Sequence, residues 1–579
     1  MDRRTALSAL VALALLGTGI AIGTWVGRRP AAAPAKPVVT KAPDASNKSR
    51  PPKKNKKNKK NKAPENIDFR QPNVLLIVWD TVRADRMSLY GHDRPTTPGL
   101  DAFAAEARVF EHAISPATWT VPSHASLFTG LPVSTHGANA SWRWVDHHNV
   151  TMAEHLAANG YATYAYSANP YVSGMTNLLQ GFEVKRLAWE EDKKAAAMVA
   201  KGKLIPTDQS TEISPAYKGE KPNIAWNQST FKEASDVANR HFVSWLRNRK
   251  QKDRPWFAFI NLMEAHSPRI PSLETRQRVI GDPALIELGL KTDMSLWNEV
   301  AAIVGKHAYS DDEIRATRAV YDATLSELDE AFVALMDALD EKDALDRTVV
   351  ILTSDHGESL GEHGLWEHRY GVWNTLVHVP LVIRYPKGME PGRVQEPVST
   401  AQIFPTVLDL LGMKPPPNAE LGRSLRRTKA GLPIYTQLTD PYTSKLSPFT
   451  KRFPDLDVSR FIRTFDAMVQ DGTKVVHSSD GHHELYDLVN DPAEQKNLID
   501  AHPKAAEYLR RLEEWQRSVP RADPSMRVPG DFKKARGQQT EADAMKEMLE
   551  SLGYIEDGAD DEGGGAADDP MGPDPAAVP

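Results

Sequence analysis

Two apolar runs of this 579-residue chain end in acids, and those acids are of the types that hold metal ions. Val74-Leu75-Leu76-Ile77-Val78-Trp79 stops at Asp80, while Thr348-Val349-Val350-Ile351-Leu352-Thr353 leads through Ser354 into Asp355-His356-Gly357. Unbroken apolar runs of this length read as buried parallel strands. Ligands of parallel sheets collect beyond the carboxyl ends of such strands. Asp80 and Asp355 offer hard carboxylate oxygens there, and His356 an imidazole nitrogen. Thr120, in Thr118-Trp119-Thr120-Val121-Pro122-Ser123-His124, adds an oxygen that becomes a strong ligand once deprotonated. Mixed oxygen and nitrogen donors suit zinc or manganese, whereas an oxygen-rich shell would suit calcium or magnesium.

Each of these residues has a plainer reading. A lone aspartate at a strand end also serves as a turn or cap residue. A threonine two residues before a helix-starting proline also serves as an N-cap. The run from Pro122 to Thr129 predicts a helix closed by Gly130, whose N-terminal amides would favour a phosphate or sulfate group beside Thr120. Cap and nucleophile share one geometry, so position alone leaves both open.

The elements around these residues alternate between strand and helix. Thr97-Pro98 supplies an N-cap and first-turn proline, with Leu100, Phe103, Ala104 and Ala107 on one helical face. Thr151 with Glu154, and Ser310 with Glu313, form capping boxes, and Gly160 closes the first of those helices. The second opens a long helix with Leu325, Leu328, Phe332, Leu335, Met336 and Leu339 on one side. The pattern predicts an α/β fold, a mostly parallel sheet between helices.

Composition is ordinary for a globular protein, with 25% charged and 41% hydrophobic residues. The formal net charge of −5 gives no argument for nucleic acid as a partner. With no cysteine, disulfides and thiolate metal sites are excluded. Arg3 and Arg4 precede an apolar stretch from Ala6 to Val26 that matches a bilayer core in length. Residues 1–29 therefore read as a transmembrane signal anchor, with the bulk of the chain outside the cytoplasm, periplasmic or extracellular. Cleavage near Ala31-Ala32-Ala33 would make the protein secreted instead. Residues 30–66 are rich in Pro and Lys and read as a tether. A catalytic domain over 67–425, a C-terminal subdomain over 426–520 and a tail over 521–579, acidic at its end, complete the expected organisation.

Seven segments in order resemble sulfatases of the alkaline phosphatase superfamily. Asn73 to Arg86 with Tyr90-Gly91 is similar to their opening, and Ser123-His124-Ala125-Ser126-Leu127-Phe128-Thr129-Gly130 to the helix after their nucleophile. Glu264-Ala265-His266-Ser267-Pro268 resembles their substrate-binding histidine segment. Ser354-Asp355-His356-Gly357-Glu358 through Gly361-Glu362-His363-Gly364-Leu365-Trp366 resembles their second metal segment, with Val379 to Arg384 the following strand. Gln402 to Gly412 and Glu484 to Pro492 resemble their C-terminal segments. The resemblance implies an alkaline-phosphatase-like large sheet and a smaller C-terminal α+β subdomain. By position it implies Asp80, Asp355 and His356 as metal ligands and Thr120 as nucleophile and ligand. It also implies His266, His363 and His368 as groups that hold the anion or protonate the leaving oxygen, and Arg83 as a supporting residue. His124 joins the candidate catalytic set. One divalent metal ion is expected, zinc or manganese ahead of calcium or magnesium.

Three departures from the family pattern matter. Sulfatases mature Cys or Ser in C/S-x-P-x-R to formylglycine, but here Thr120 and His124 stand at the two ends, so no formylglycine is expected. Ser115 offers no substitute, because Ala117 and Trp119 occupy the proline and arginine positions. Thr81 stands where a second ligand aspartate is usual. A sulfated threonine has no elimination route, whereas a phosphorylated one is still open to attack by water or an alcohol. The sequence therefore points to a metal-dependent hydrolase, or transferase, for phosphate-type esters on a small molecule or polymer, phosphodiesters included. The alternatives are a sulfuric ester hydrolase without formylglycine and a non-catalytic, surface-anchored binding protein.

Overall fold

The computed structural model describes residues 71–189, 234–417, 421–441 and 443–528. The anchor, the tether, the acidic end of the tail and residues 190–233 lie outside the described residues. Among the described residues, no helix is long and apolar enough to cross a membrane.

Eight strands form the main sheet: β1 (Asn73–Trp79), β2 (Arg108–Phe110), β3 (Ala162–Ser167), β4 (Val184–Leu187), β5 (Trp256–Leu262), β6 (Thr348–Thr353), β7 (Leu381–Arg384) and β8 (Gly392–Val394). Their order in space is β8-β2-β7-β6-β1-β5-β3-β4. From β6 to β4 all neighbours are parallel. Only β7 opposes its neighbours β6 and β2. The expected mostly parallel sheet is what the chain builds.

Register and ring contacts explain why β1 and β5 carry no polar alternation. Val74 pairs with Phe257 and Trp79 with Leu262, so Trp79 and Trp256 share one face while Phe257 and Phe259 share the other. On the first face lie helices α4 (Ala234–Asn248) and α5 (Asp311–Asp340). Phe242 meets Trp256 at 5.3 Å, and Phe332 meets Trp79 edge-on at 6.2 Å. On the second face lies α2 (Thr120–Thr129), whose Phe128 meets Phe259 at 4.9 Å. Both faces are covered, so both must be apolar.

Both capping boxes form, on α3 (Met152–Ala158) and on α5. The α3 helix is followed by Gly160 at φ 93°, a left-handed turn that glycine adopts without a Cβ penalty. Thr97 precedes α1 (Pro98–Phe103) as expected, but its hydroxyl does not cap the helix. The buried carboxylate of Asp329, reaching from α5, accepts the Gly99 and Leu100 amides at 2.7 Å each. Tertiary packing has replaced the local cap.

A smaller antiparallel sheet follows, β9 (Ile434–Leu438), β10 (Phe465–Gln470), β11 (Thr473–Ser478) and β12 (Glu484–Asp487), in that order. Helix α6 (Ala505–Ser518) covers it, with Leu512 buried and Trp515 stacked on Tyr435 at 4.0 Å. This is the expected α+β subdomain. The cap contributed by Asp329 leads to a prediction. Asp329→Ala leaves two amides without acceptors and is expected to cost about 2 kcal/mol, read as a lower denaturation midpoint at unchanged m-value.

Candidate active site

The register of the central strands brings the acids together. β1 lies beside β6 with Val78 opposite Thr353, so the residues that follow, Asp80 and Asp355-His356, emerge at the same sheet end. All three are fully buried. One oxygen or nitrogen of each lies within 4.8 Å of the others, a spacing that a metal ion can bridge. Asp80 Oδ1, Asp355 Oδ2 and His356 Nε2 have no hydrogen-bond partner. Burying three polar atoms without partners is costly, and a cation shared among them would satisfy all three. The residues fit a divalent metal ion.

The remaining atoms of the cluster are held firmly. Asp355 Oδ1 accepts the amides of His356 at 2.9 Å and Thr81 at 3.3 Å. Its carbonyl takes the Ser123 hydroxyl at 2.5 Å and also that of Ser115. Thr81, at φ 61°, turns its hydroxyl to the Asp80 carbonyl at 2.7 Å, away from any ligand role. Asp80 Oδ2 accepts from Asn169 at 2.8 Å and Asn261 at 3.3 Å. His356 donates Nδ1–H to the Gly357 carbonyl at 2.9 Å, which turns Nε2 toward the cluster.

Electrostatics inside the cluster follow from burial. Burial, with Asp355 beside it, raises the Asp80 carboxyl to about 7. Burial would also raise Asp355, but His356, its hydrogen bonds and His124 hold it at about 2. For His356 burial opposes the charge, yet Asp355 and then Asp80 lift it to about 9. Its Nε2 lies 3.3 Å from Asp355 Oδ2 without hydrogen-bond alignment, so charge attraction is the cause we assign. Protons therefore stand where a cation would.

Thr120 opens α2 as its first residue. The N-cap is Trp119, which makes no side-chain cap bond, so the cap reading of Thr120 fails. Its hydroxyl instead meets Asn169 Nδ2 at 3.3 Å, the same nitrogen that holds Asp80. The helix closes at Gly130 with φ 71°, as the sequence predicts. One turn on, buried His124 donates Nδ1–H to the Thr120 carbonyl at 3.0 Å and lies 3.4 Å from Asp355 Oδ2. Burial lowers its pKa. The ring sits between the Thr120 backbone and a cluster acid.

His368 and His266 form a wall beside the cluster. The His368 ring lies 4.4 Å from that of His356 and 5.4 Å from that of His266. Its Nδ1 donates to Glu358 at 2.9 Å, and Glu358 pairs with Arg269 at 2.7 Å. Burial, then the positive charge of His356, lowers His368 well below its ordinary value. His266 donates Nδ1–H to the Ser267 carbonyl at 2.6 Å. Arg83 is buried and bonds Asp85, Glu362 and the Glu358 carbonyl, a supporting arrangement. His363 goes elsewhere: with φ 55° it turns its ring onto Trp373 at 4.8 Å and is no member of the cluster.

Asn169, Asn261, Glu358 and Arg269 are site residues that sequence reasoning does not single out. Asn261 is a polar residue inside the apolar run Trp256–Leu262, and Asn169 follows the end of β3. That is the same signal that marks Asp80, but amides are common in turns and carry no charge to draw notice.

Comparisons with known proteins bear on the family and the fold. The sulfatase family profile matches residues 72–413, and a profile described as N-sulphoglucosamine sulphohydrolase, C-terminal, matches residues 361–518. The chain is 26% identical over 434 residues to an ulvan-active sulfatase of Formosa agariphila, covering 74% of this chain and 77% of that one. It is 23% identical over 481 residues to an arylsulfatase of Clostridium perfringens, covering 76% and 93%. In structure it is similar to a phosphonate monoester hydrolase of Agrobacterium radiobacter, at 22% identity and a TM-score of 0.57, covering 77% and 95%.

The raised Asp80 and His356 set the sign of a second prediction. Metal entering the cluster displaces protons, so apparent affinity of the metal-stripped protein rises with pH between about 6 and 9, by roughly tenfold or more. Titration calorimetry in two buffers of different ionisation enthalpy checks this. Binding that releases no protons would remove Asp80 and His356 as ligands.

Proposed function

This chain belongs to the sulfatase family and is an ester hydrolase, and from that footing we propose that it cleaves phosphate-type esters through Thr120. The observation that carries the reading is the shared contact of Asn169. It sets the Thr120 hydroxyl beside Asp80, at the start of a helix and next to three buried atoms without partners. A divalent cation held by Asp80, Asp355 and His356 supplies, when bound, the positive charge that lowers the pKa of a neighbouring hydroxyl and offsets charge on the ester.

The chain's own residues do the rest. The start of α2 faces its amides toward the anionic group. Thr120 gives up its hydroxyl proton to water as its pKa falls, and Oγ1 attacks phosphorus; the bond to the leaving oxygen breaks and threonine carries the phosphoryl or phosphonyl group with its remaining substituent. His368, fixed through Nδ1 by Glu358, keeps Nε2 for the substrate and protonates the leaving oxygen. Burial disfavours its charge in the free protein, and an arriving anion supplies the compensation. His266 holds the anion from the adjacent position. Water, or an acceptor alcohol, then attacks phosphorus and frees Thr120. His124 positions the Thr120 backbone through its carbonyl.

Threonine favours phosphorus for a chemical reason. A phosphothreonine can be resolved at phosphorus, whereas a sulfothreonine lacks the second hydroxyl through which a formylglycine hydrate expels sulfate. The phosphonate monoester hydrolases among the structural relatives share the fold, so the frame itself accommodates phosphorus esters. A second reading, sulfate ester cleavage without formylglycine, draws support from the relatives named as sulfatases.

One panel separates the two. Metal-replete protein is expected to hydrolyse phosphodiesters or phosphonate monoesters faster than sulfate esters, and Thr120→Ala is expected to lose at least about 10³-fold. Mass spectrometry of quenched protein should find the phosphoryl or phosphonyl group, with the substituent it retains from the substrate, on the Thr120 peptide. Sulfate release that exceeds phosphate release and depends on Thr120 favours the second reading, and full activity in Thr120→Ala rejects both.

His368 supplies a further test. His368→Ala is expected to slow alkyl esters by about 10²-fold or more while sparing esters of acidic phenols, which leave without a proton. His363→Ala should change neither. Equal losses on both ester classes would remove His368 as the acid.

A further inference from the structure

At the opposite end of the main sheet lies a cavity of about 630 Å³. It opens where β1 and β5 begin, between the end of α4 and the turn that precedes β6, and Asn73 and Trp256 form part of its wall. Asp80 stands at the other end of β1, roughly 20 Å away at ~3.3 Å per residue. The cavity is therefore separate from the catalytic cluster.

Its charge is one-sided. Arg247, Arg249, Lys252, Lys342, Arg347 and Lys387 all line it, against a single acid, Asp253. Arg254 also lines it, but that guanidinium is spent on Glu183 at 2.8 Å and on carbonyls. Among the described residues, Arg247, Lys252, Lys342, Arg347 and Lys387 make no ion pair. Arg249 donates to the carbonyls of Arg254 and Lys252 at 2.8 and 2.7 Å, which leaves its buried Nε without a partner. Burial, then Arg254, and Arg347 as well lower its pKa to about 10. The chain as a whole carries a net charge of −5, so this concentration is local and not a reflection of a basic protein.

Cations crowded around one concavity repel one another unless anions lie between them. A single small anion would answer one or two of six charges. A flat bilayer would meet cations spread over a plane, whereas these surround a hollow. The large aromatics of the wall, Trp256 and Tyr385, are 2% and 8% exposed, which gives nucleic-acid bases no platform to stack on. A flexible chain with repeated oxyanions fits all of these facts. We propose that the cavity is a second, non-catalytic binding site for a flexible polyanion bearing sulfate or phosphate groups. It holds the ligand independently of the chemistry at Thr120.

The test uses the full chain with two probes, inorganic tripolyphosphate and a sulfated hexasaccharide, followed by calorimetry at low and rising salt. Lys342→Glu with Arg347→Glu reverses two exposed charges of the wall. The double variant is expected to weaken binding at least tenfold while the melting temperature and ester hydrolysis stay unchanged. Loss confined to tripolyphosphate assigns the site to phosphate chains, loss confined to the hexasaccharide assigns it to sulfated ones, and loss of both supports the general form. A companion variant, Lys53, Lys54, Lys56 and Lys57 all to Gln, removes charge from the N-terminal segment. If that variant alone loses binding, the proposal is wrong. It is equally overturned if neither probe binds, or if anionic vesicles or a single-stranded oligonucleotide bind through Lys342 and Arg347 while both probes fail.

Discussion

Two carboxylates buried side by side impose the constraint on which the rest of this structure depends. Asp80 and Asp355 are both fully buried, and each disfavours the other's charge. Such a pair persists only where positive charge is supplied and where neighbouring groups fix every other atom. His356 supplies charge on one side. Asn169 and Asn261 occupy one oxygen of Asp80, while the amides of Thr81 and His356 occupy one of Asp355. Ser115 and Ser123 hold the Asp355 carbonyl, which ties the start of α2 to the end of β6. The same contacts that contain the repulsion thus also set where Thr120 lies.

Much of this is legible in the chain itself because buried strands write an unmistakable pattern. An unbroken apolar run can only be a strand covered on both faces or a core helix, and its polar end must have a reason. Asp80, Asp355 and His356 become candidates by that pattern, and the family resemblance separates the ligand reading from a turn or cap. Capping boxes at Thr151 and Ser310 are equally local, since each is completed within four residues.

What is not legible depends on distant partners. No local feature of Thr97 tells that Asp329 takes over its cap from more than two hundred residues away. Nor does the sequence tell that Trp119, not Thr120, stands at the N-cap of α2. His363 is the clearest case. A backbone of φ 55° points its ring at Trp373, and backbone hand at a single non-glycine residue leaves no trace in composition or periodicity. Uncharged Asn169 and Asn261 escape notice because their importance lies wholly in what they touch.

One cluster of contacts fastens the C-terminal subdomain to the segment that precedes β7. Lys474 and Glu494, both in the interior, pair at 2.7 Å. Lys474 also donates to the Val372 carbonyl and reaches Asn374, and Glu494 accepts the Asn374 amide at 2.5 Å. The segment they fasten carries His368 a few residues earlier, so 120 residues separate Asn374 from the last group that fastens it, Glu494. Nascent chains that have exposed every group of the cluster are still unfinished in this respect. The late sheet thereby acts as a timer on the early one, holding the His368 segment in place only after Glu494 has been made.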